Sequence, residues 1–370
     1  GTIGNELHNN AGGEVGVSMG QRLLFSGPAN ANSGTIKVIG GEVRFTGEAV
    51  NVASTGLITG RDATLNFDGG LTNDGSLALS FGTSDVFGDV TNSATGVMAV
   101  AGNSQATFYD DVANGGVLNV ATGSTVAFFG ALTGSGNIGG GDVQAMGDLG
   151  PGASPGVMNF GGNLSLGPLS STQFELAGTT AGATYDQVNV AGDLALGGTL
   201  EVSLIDAFLP DTPDPIDGGD GDSFTILTAD QMFGSFGTVT GLDYDNAVET
   251  GRELRLSQTS TDITLTAFRA AHGDGNMDGQ LDSTDLFAIL AGGKFNHPEF
   301  GPATWLEGDF SGDDLVNSTD LFLILATGKY NQGPYATAAL ASVPEPSSIV
   351  LAAIALAGLV FVGRRQFSAS

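Results

Sequence analysis

Phenylalanine recurs along the first half of this chain with a period of about 21 residues, a length that constrains the fold more than any other feature. Phe25, Phe45, Phe67, Phe87, Phe108 and Phe128 are separated by 20, 22, 20, 21 and 20 residues. Gly34, Gly56, Gly75, Gly96, Gly116 and Gly136 follow in phase, and Asn32, Asn73, Asn92 and Asn114 fall between the two series. One unit runs from Leu65 to Leu79: apolar-x-Phe-x-Gly, a second apolar position, an Asn/Gly turn, then apolar-x-apolar. Alternation of period two means strands. A unit that holds three short strands and their turns is one coil of a right-handed parallel β-helix, in which each coil buries its apolar face only by stacking on the next. Phe, Leu and Val are then expected to stack on their counterparts, with Gly and Asn in left-handed conformations at the corners. The competing arrangement is a β-sandwich of hairpins closed at turns such as Asn73-Asp74-Gly75-Ser76. The regular period favours the solenoid. The fold class is therefore mainly β, with coils over 1–150 and a β-rich continuation or cap over 151–268.

The pattern loosens after Thr133-Gly134-Ser135-Gly136-Asn137-Ile138 and the turn Gly150-Pro151-Gly152-Ala153-Ser154-Pro155-Gly156. Strand-like stretches follow at Gln173–Leu176, Tyr185–Val190, Leu194–Leu196 and Thr199–Leu204. After an acidic loop from Asp211 to Asp222 come Phe224–Leu227, Leu254–Leu256 and Ile263–Thr266. The Leu-Thr-Gly-Ser-Gly run, the Pro-Gly-Ala-Ser-Pro-Gly turn and the Tyr-Asp-Gln-Val-Asn-Val strand resemble autotransporter-type passenger segments. That resemblance implies a β-helix with a β-rich cap and implies no reaction.

Metal-ligand spacing is sharpest in 269–335. The loop Asp274-Gly275-Asn276-Met277-Asp278-Gly279-Gln280-Leu281-Asp282-Ser283-Thr284-Asp285 places side-chain oxygens at positions one, three, five, nine and twelve, with glycine at six. Such spacing wraps a chain around one hard cation, and a helix follows at once from Leu286 to Leu290. A second loop runs from Asp309 to Asp320, 35 residues on, before a helix from Leu321 to Leu325. Two copies at this spacing, both ending Ser-Thr-Asp-Leu, resemble a type I dockerin, an α-helical EF-hand-like module. The resemblance implies two calcium ions. Their ligands would be Asp274, Asn276, Asp278, Asp282 and Asp285 in the first loop and Asp309, Ser311, Asp313, Asn317 and Asp320 in the second. Gln280 and Leu315 would bind through backbone carbonyls. Ser283-Thr284 and Ser318-Thr319 would touch a cohesin-like partner. The family's basic recognition residues are matched only by Lys294 and Lys329. Asp314 stands at the glycine position of the second loop, where Asp tolerates left-handed backbone better than most residues. The second site is expected to be the weaker.

The last segment reads Pro344-Glu345-Pro346-Ser347-Ser348, an apolar run Ile349–Val362, then Gly363-Arg364-Arg365. Pro-Glu-Pro cannot be helix interior. The apolar run reads as a membrane helix near the short limit for a span, with the Arg pair on the cytoplasmic side. This order resembles the PEP-CTERM sorting signal, which pairs that triplet with a span and a basic cluster at the terminus. The resemblance implies recognition by an exosortase-type protease, cleavage near Pro344–Pro346 and delivery to the cell surface or extracellular matrix. Residues 336–346 are then a linker, and 347–370 a transient inner-membrane anchor and basic tail. Export needs a signal peptide, which is expected upstream of Gly1.

A formal charge of -29 argues against nucleic acid and anionic lipid as partners. Without cysteine, disulfides and thiol chemistry are excluded, which is compatible with export, with folding held by other means such as calcium. Catalysis finds no support. No Lys or Arg occurs from Asp62 to Gly251, so beyond Arg22, Lys37, Arg44 and Arg61 the coils lack the base that a polysaccharide lyase needs. Asp110-Asp111 would point to opposite faces of a strand, and His8, His272 and His297 are scattered. The reading is a non-catalytic exported surface protein: a scaffold or adhesin with a calcium-dependent docking module and a sorting tail. The alternative is a dockerin-bearing component of extracellular polysaccharide degradation, with surface polysaccharide or a cohesin-like protein as partner.

Overall fold

In the computed structural model, which describes residues 1–152 and 154–336, the chain coils into three parallel sheets. Every third strand lies in the same sheet, giving sheets of eleven, eleven and twelve strands. The first runs from Thr2–Ile3 to Gln231–Phe233, the second from His8–Asn9 to Thr238–Thr240, and the third from Glu14–Val17 to Gly219–Thr228. This is the parallel β-helix of the repeat, not a sandwich. Its coils continue through the looser half of the chain. The third sheet then closes antiparallel: Asp262–Arg269 pairs with Gly219–Thr228 and with Arg252–Gln258. These strands roof the core, which is one contiguous apolar cluster from Val17 to Ala267. The roof also takes in the end of the acidic loop, since Asp220 and Asp222 lie in a strand.

Inside the first sheet the ring of Phe45 lies between those of Phe25 and Phe67, with centroids 5.0 and 5.6 Å away. Phe108 and Phe128 stack at 5.3 Å. Each such pair adds about 0.5–1.5 kcal/mol beyond burial. Phe87 departs from the expected column. Its strand pairs Leu65 with Val86 and Asn66 with Phe87, so Phe87 faces outward. The inward place opposite Phe67 falls to Gly88, where a Cβ would lie 1.9 Å from the Phe67 carbonyl oxygen. Phe87 instead begins an outer ladder with Tyr109 and Phe129, at 4.4 and 5.7 Å.

The glycine and asparagine series serve a purpose other than corner turning. None of Gly34, Gly56, Gly75, Gly96, Gly116 and Gly136 has a positive φ. They are glycine because coils approach closely there: a Cβ on Gly96 would sit 2.1 Å from the Asn73 carbonyl oxygen, and one on Gly116 2.3 Å from that of Gly96. The asparagines point inward and form a buried ladder. The Nδ2 group of Asn9 donates to Oδ1 of Asn32, and the relay continues through Asn51, Asn73 and Asn92 to Asn114 at 2.7–2.8 Å per step. Each rung replaces a buried, unsatisfied amide with a hydrogen-bonded one. Asp110 and Asp111 sit at an exposed corner outside any strand, where they accept N–H groups from Gly88 and Ala131 of neighbouring coils.

Candidate metal centre

Beyond the roof a second core begins, built from Phe268, Leu281, Ile289, Trp305, Phe310, Val316 and Ile324. It holds two loop–helix units. Helices Ser283–Gly292 and Ser318–Thr327 open on Asp282 and Asn317, whose side chains accept from the backbone N–H of Thr284 and Thr319, each at 2.7 Å. Asp285 and Asp320 reach back to complete both capping boxes. The caps thus fall on residues expected as ligands from the sequence.

Both loops fold around their own carboxylates by the same hydrogen-bond pattern. Asp274 accepts from the N–H of Asp278 at 3.1 Å and of Gly279 at 2.9 Å. Asp309 accepts from Asp313 at 3.2 Å and Asp314 at 2.7 Å. Asp285 accepts from Gly275, Asn276 and Asp282, and Asp320 from Phe310, Ser311 and Asn317. Gly279 and Asp314, at the sixth position of each loop, both take a positive φ, 79° and 65°. Aspartate therefore adopts the backbone that the sequence pattern requires of glycine. In the second loop one carboxylate oxygen each from Asp309, Asp313 and Asp320 lies within 4.8 Å of the others, the one such group of three among the described residues.

The two units interlock. The N–H of Asn296, after the first helix, donates to the Val316 carbonyl of the second loop at 2.8 Å. Asn331, after the second helix, donates to the Leu281 carbonyl of the first loop at 2.8 Å. Each loop is therefore closed by the strand of chain leaving the other helix, and neither half is complete alone.

Four of the predicted ligands are buried carboxylates: Asp274, Asp285, Asp309 and Asp320. Burial pushes the Asp274 carboxyl up to about 6, against the hydrogen bonds donated by the Tyr335 hydroxyl and the Gly279 N–H. Burial also raises Asp285. The backbone N–H and hydroxyl of Thr284 hold Asp282 below the usual range. Buried acids raised in this way favour any cation that relieves their desolvation. Asn276, Asp278, Ser311 and Asp313 stand at loop positions three and five, and the backbones of Gln280 and Leu315 pass between them and the helix start. Ser283, Thr284, Ser318 and Thr319 are exposed on the first turns of the helices. Phe287 and Leu290 are 72% and 71% exposed, and Phe322 and Leu325, 35 residues on, 68% and 76%.

Several contacts escape a reading of the loops alone. Tyr335 donates to the Asp274 carboxylate and accepts from the Ala271 N–H. The Trp305 indole donates to the Asp274 carbonyl at 3.0 Å. Arg255, on a roof strand, stacks on Phe268 and donates to the Met277 carbonyl, which ties the first loop to the solenoid.

The sorting segment lies outside the described residues, as do Pro344, Glu345, Pro346, Arg364, Arg365 and the apolar run between them. Among the described residues no helix is long and apolar enough to cross a membrane. Residues 342–366 match the PEP-CTERM protein-sorting motif. The match takes in the Pro-Glu-Pro triplet, the apolar run and the Arg pair, and it marks an exported, surface-targeted protein carried on a β-solenoid scaffold. Exosortase recognition of the PEP-CTERM segment accords with the expected sorting protease. No curated protein matches the chain.

Proposed function

We propose that the chain is a non-catalytic component of the cell surface or extracellular matrix. Its solenoid acts as an extended scaffold, and its terminal loop–helix pair is a dockerin-like module that calcium orders. The observation that carries this reading is the matched hydrogen-bond frame of the two loops around buried carboxylates. Hard cations take six to eight oxygen ligands, carboxylate and carbonyl among them. The side chains at positions one, three, five, nine and twelve, with the carbonyls of Gln280 and Leu315, supply that donor chemistry in both loops. Calcium would relieve the buried charge of Asp274, Asp285, Asp309 and Asp320, fix both helix starts and so fix the exposed pairs Phe287/Leu290 and Phe322/Leu325. Those pairs, with Ser283-Thr284 and Ser318-Thr319, would form the face offered to a partner protein.

Calorimetric titration of the chelator-treated chain with calcium tests this. Two binding events, with a thermal melt that moves upward as calcium is added, are expected. Magnesium should do less, because it keeps its waters and demands a tighter octahedron. A flat titration and an unchanged melt would leave the module a purely hydrogen-bonded element and overturn the calcium reading.

A further inference from the structure

The coil between the strands Thr125–Phe128 and Asp142–Ala145 is the short one of its neighbourhood. Thr125 pairs with Asp142, 17 residues on, whereas Gln105 to Thr125 takes 20 and Asp142 to Asn163 takes 21. The shortfall falls on the third sheet. There the strand Asn137–Ile138 has two residues, between neighbours of four, Val117–Val120 and Val157–Phe160. A notch of about 530 Å³ opens on the outer face at this point. Its bed is kept low by Gly139 and Gly161, where a Cβ would crowd Asn119 Oδ1 at 3.2 Å and the Gly140 nitrogen at 3.1 Å.

Asparagine lines the notch as it lines the interior, but in a different hydrogen-bonding state. Asn137 pairs in register with Asn159, and Asn159 with Asn189, so their side chains form an outer row at the strand spacing of about 4.8 Å. In the buried ladder each amide, Asn9, Asn32, Asn51, Asn73 and Asn92, donates to the next. In the notch Asn119 and Asn137 are exposed, and their side chains make no hydrogen bond to a described residue. Asn159 accepts from Asn189 at 3.1 Å and keeps its own NH₂ free among the described residues. No lining residue is charged. That neutrality extends along the sheet: outward positions of the strands from Ser76–Ser80 to Gln187–Val190 carry Ser, Ala, Val, Asn and Gln. In a chain of net charge -29, an uncharged face several strands long selects against ionic partners.

We infer that this notch binds a neutral polysaccharide whose chain lies along the solenoid axis, across the strands of the third sheet. A sugar hydroxyl both donates and accepts, which matches the amides of Asn119 and Asn137 and the NH₂ group of Asn159, and the rungs recur on the scale of one sugar ring. A polyuronate would meet the overall negative potential of the molecule. A flat protein surface would leave the amides without matched partners at a desolvation penalty. The site is independent of the calcium module.

The test is electrophoresis of the full chain through native gels that contain a neutral β-glucan, a neutral mannan or a polyuronate. Retardation by a neutral polymer and none by the polyuronate is expected. The double variant N137D/N159D, of unchanged side-chain size, should bind at least about tenfold more weakly, with its melt within a degree or two of the parent. Asn119→Ala, at an exposed position, is the second variant, with a loss of about threefold expected should the double variant fold poorly. Failure of every neutral polymer to retard the chain overturns the proposal, as does retardation that survives both variants, or equal retardation by the polyuronate. A dimer by light scattering that the same variants dissolve, with no glycan binding, would reassign the face to a second copy of the chain.

Discussion

Truncation of one rung of the buried asparagine ladder should unfasten several coils at once, and its cost can be worked from the contacts. Asn73 is fully buried. Its Nδ2 donates to Asn92 Oδ1 at 2.8 Å and to the Val97 carbonyl at 3.3 Å, and its Oδ1 accepts from Asn51 at 2.7 Å. In N73A the Asn51 amide retains the Ser76 carbonyl at 2.9 Å, but the Asn92 oxygen loses its donor in a site closed to water. An orphaned buried polar group costs about 1–3 kcal/mol, and the space left by the amide adds to it, so roughly 3–5 kcal/mol is expected. Asn114 supplies the control. It ends the ladder: its Oδ1 accepts from Asn92, but its Nδ2 has no partner among the described residues. N114A therefore removes one acceptor and also one unsatisfied donor, for about 1 kcal/mol. Guanidinium unfolding followed by far-ultraviolet circular dichroism gives the midpoints. Native-state hydrogen exchange on the flanking strands guards against piecewise unfolding, to which solenoids are prone. Equal costs for the two variants, or a cost for N73A below about 1 kcal/mol, would show that the coils hold one another by apolar stacking alone.

Two further perturbations bear on the acids. Asp320→Asn keeps the size of a carboxylate that accepts three backbone N–H groups but removes its charge; calorimetry should lose one of two calcium events and keep the other, with Asp285→Asn the mirror case. Loss of both events in either variant would mean one shared site. Asp186 is a buried staple that accepts from Gly156 at 2.6 Å and Glu175 at 2.8 Å, and burial pushes it up to about 6 from 3.8. A raised carboxyl binds its proton more tightly in the folded state. Its contribution is therefore full below about pH 4 and falls away as pH rises through 6, by about 3 kcal/mol. Denaturant midpoints across that window should fall more steeply for the parent than for Asp186→Asn; parallel profiles would refute the assignment.

The coil was legible in the sequence because its period is set by backbone geometry that every turn of the solenoid repeats. What each series of residues does inside the coil was less so. Phe87 keeps the spacing of its column and yet faces out, because Gly88 takes the inward place opposite Phe67 and shifts the strand by one residue. A one-residue shift reverses the face while leaving the period almost unchanged. The asparagines were open to two readings, since Asn suits both a left-handed corner and a buried amide ladder. A signal that separates them is phase: Asn32, Asn51, Asn73, Asn92 and Asn114 each close a strand after a residue that points the other way, which puts all of them on the core side.

The candidate ligands divide by sequence distance in the same manner. Within twelve consecutive residues spacing alone names the candidate ligands, because a loop that folds around its own carboxylates has little freedom in where oxygens may stand. Tyr335 and Trp305 lie 61 and 31 residues from Asp274, and nothing in a local pattern announces them. Yet they set the surroundings of Asp274 in the first loop. Tyr335 donates to its leading carboxylate and Trp305 to the backbone carbonyl of the same residue, while Arg255 fastens the loop to the solenoid roof. The second loop gathers three carboxylates with no aromatic hydroxyl donating to its leading Asp309 among the described residues. Two loops that share one spacing of oxygen side chains are therefore unequal in three dimensions. One is tied to the scaffold through Arg255, and the other has three of its acids already gathered.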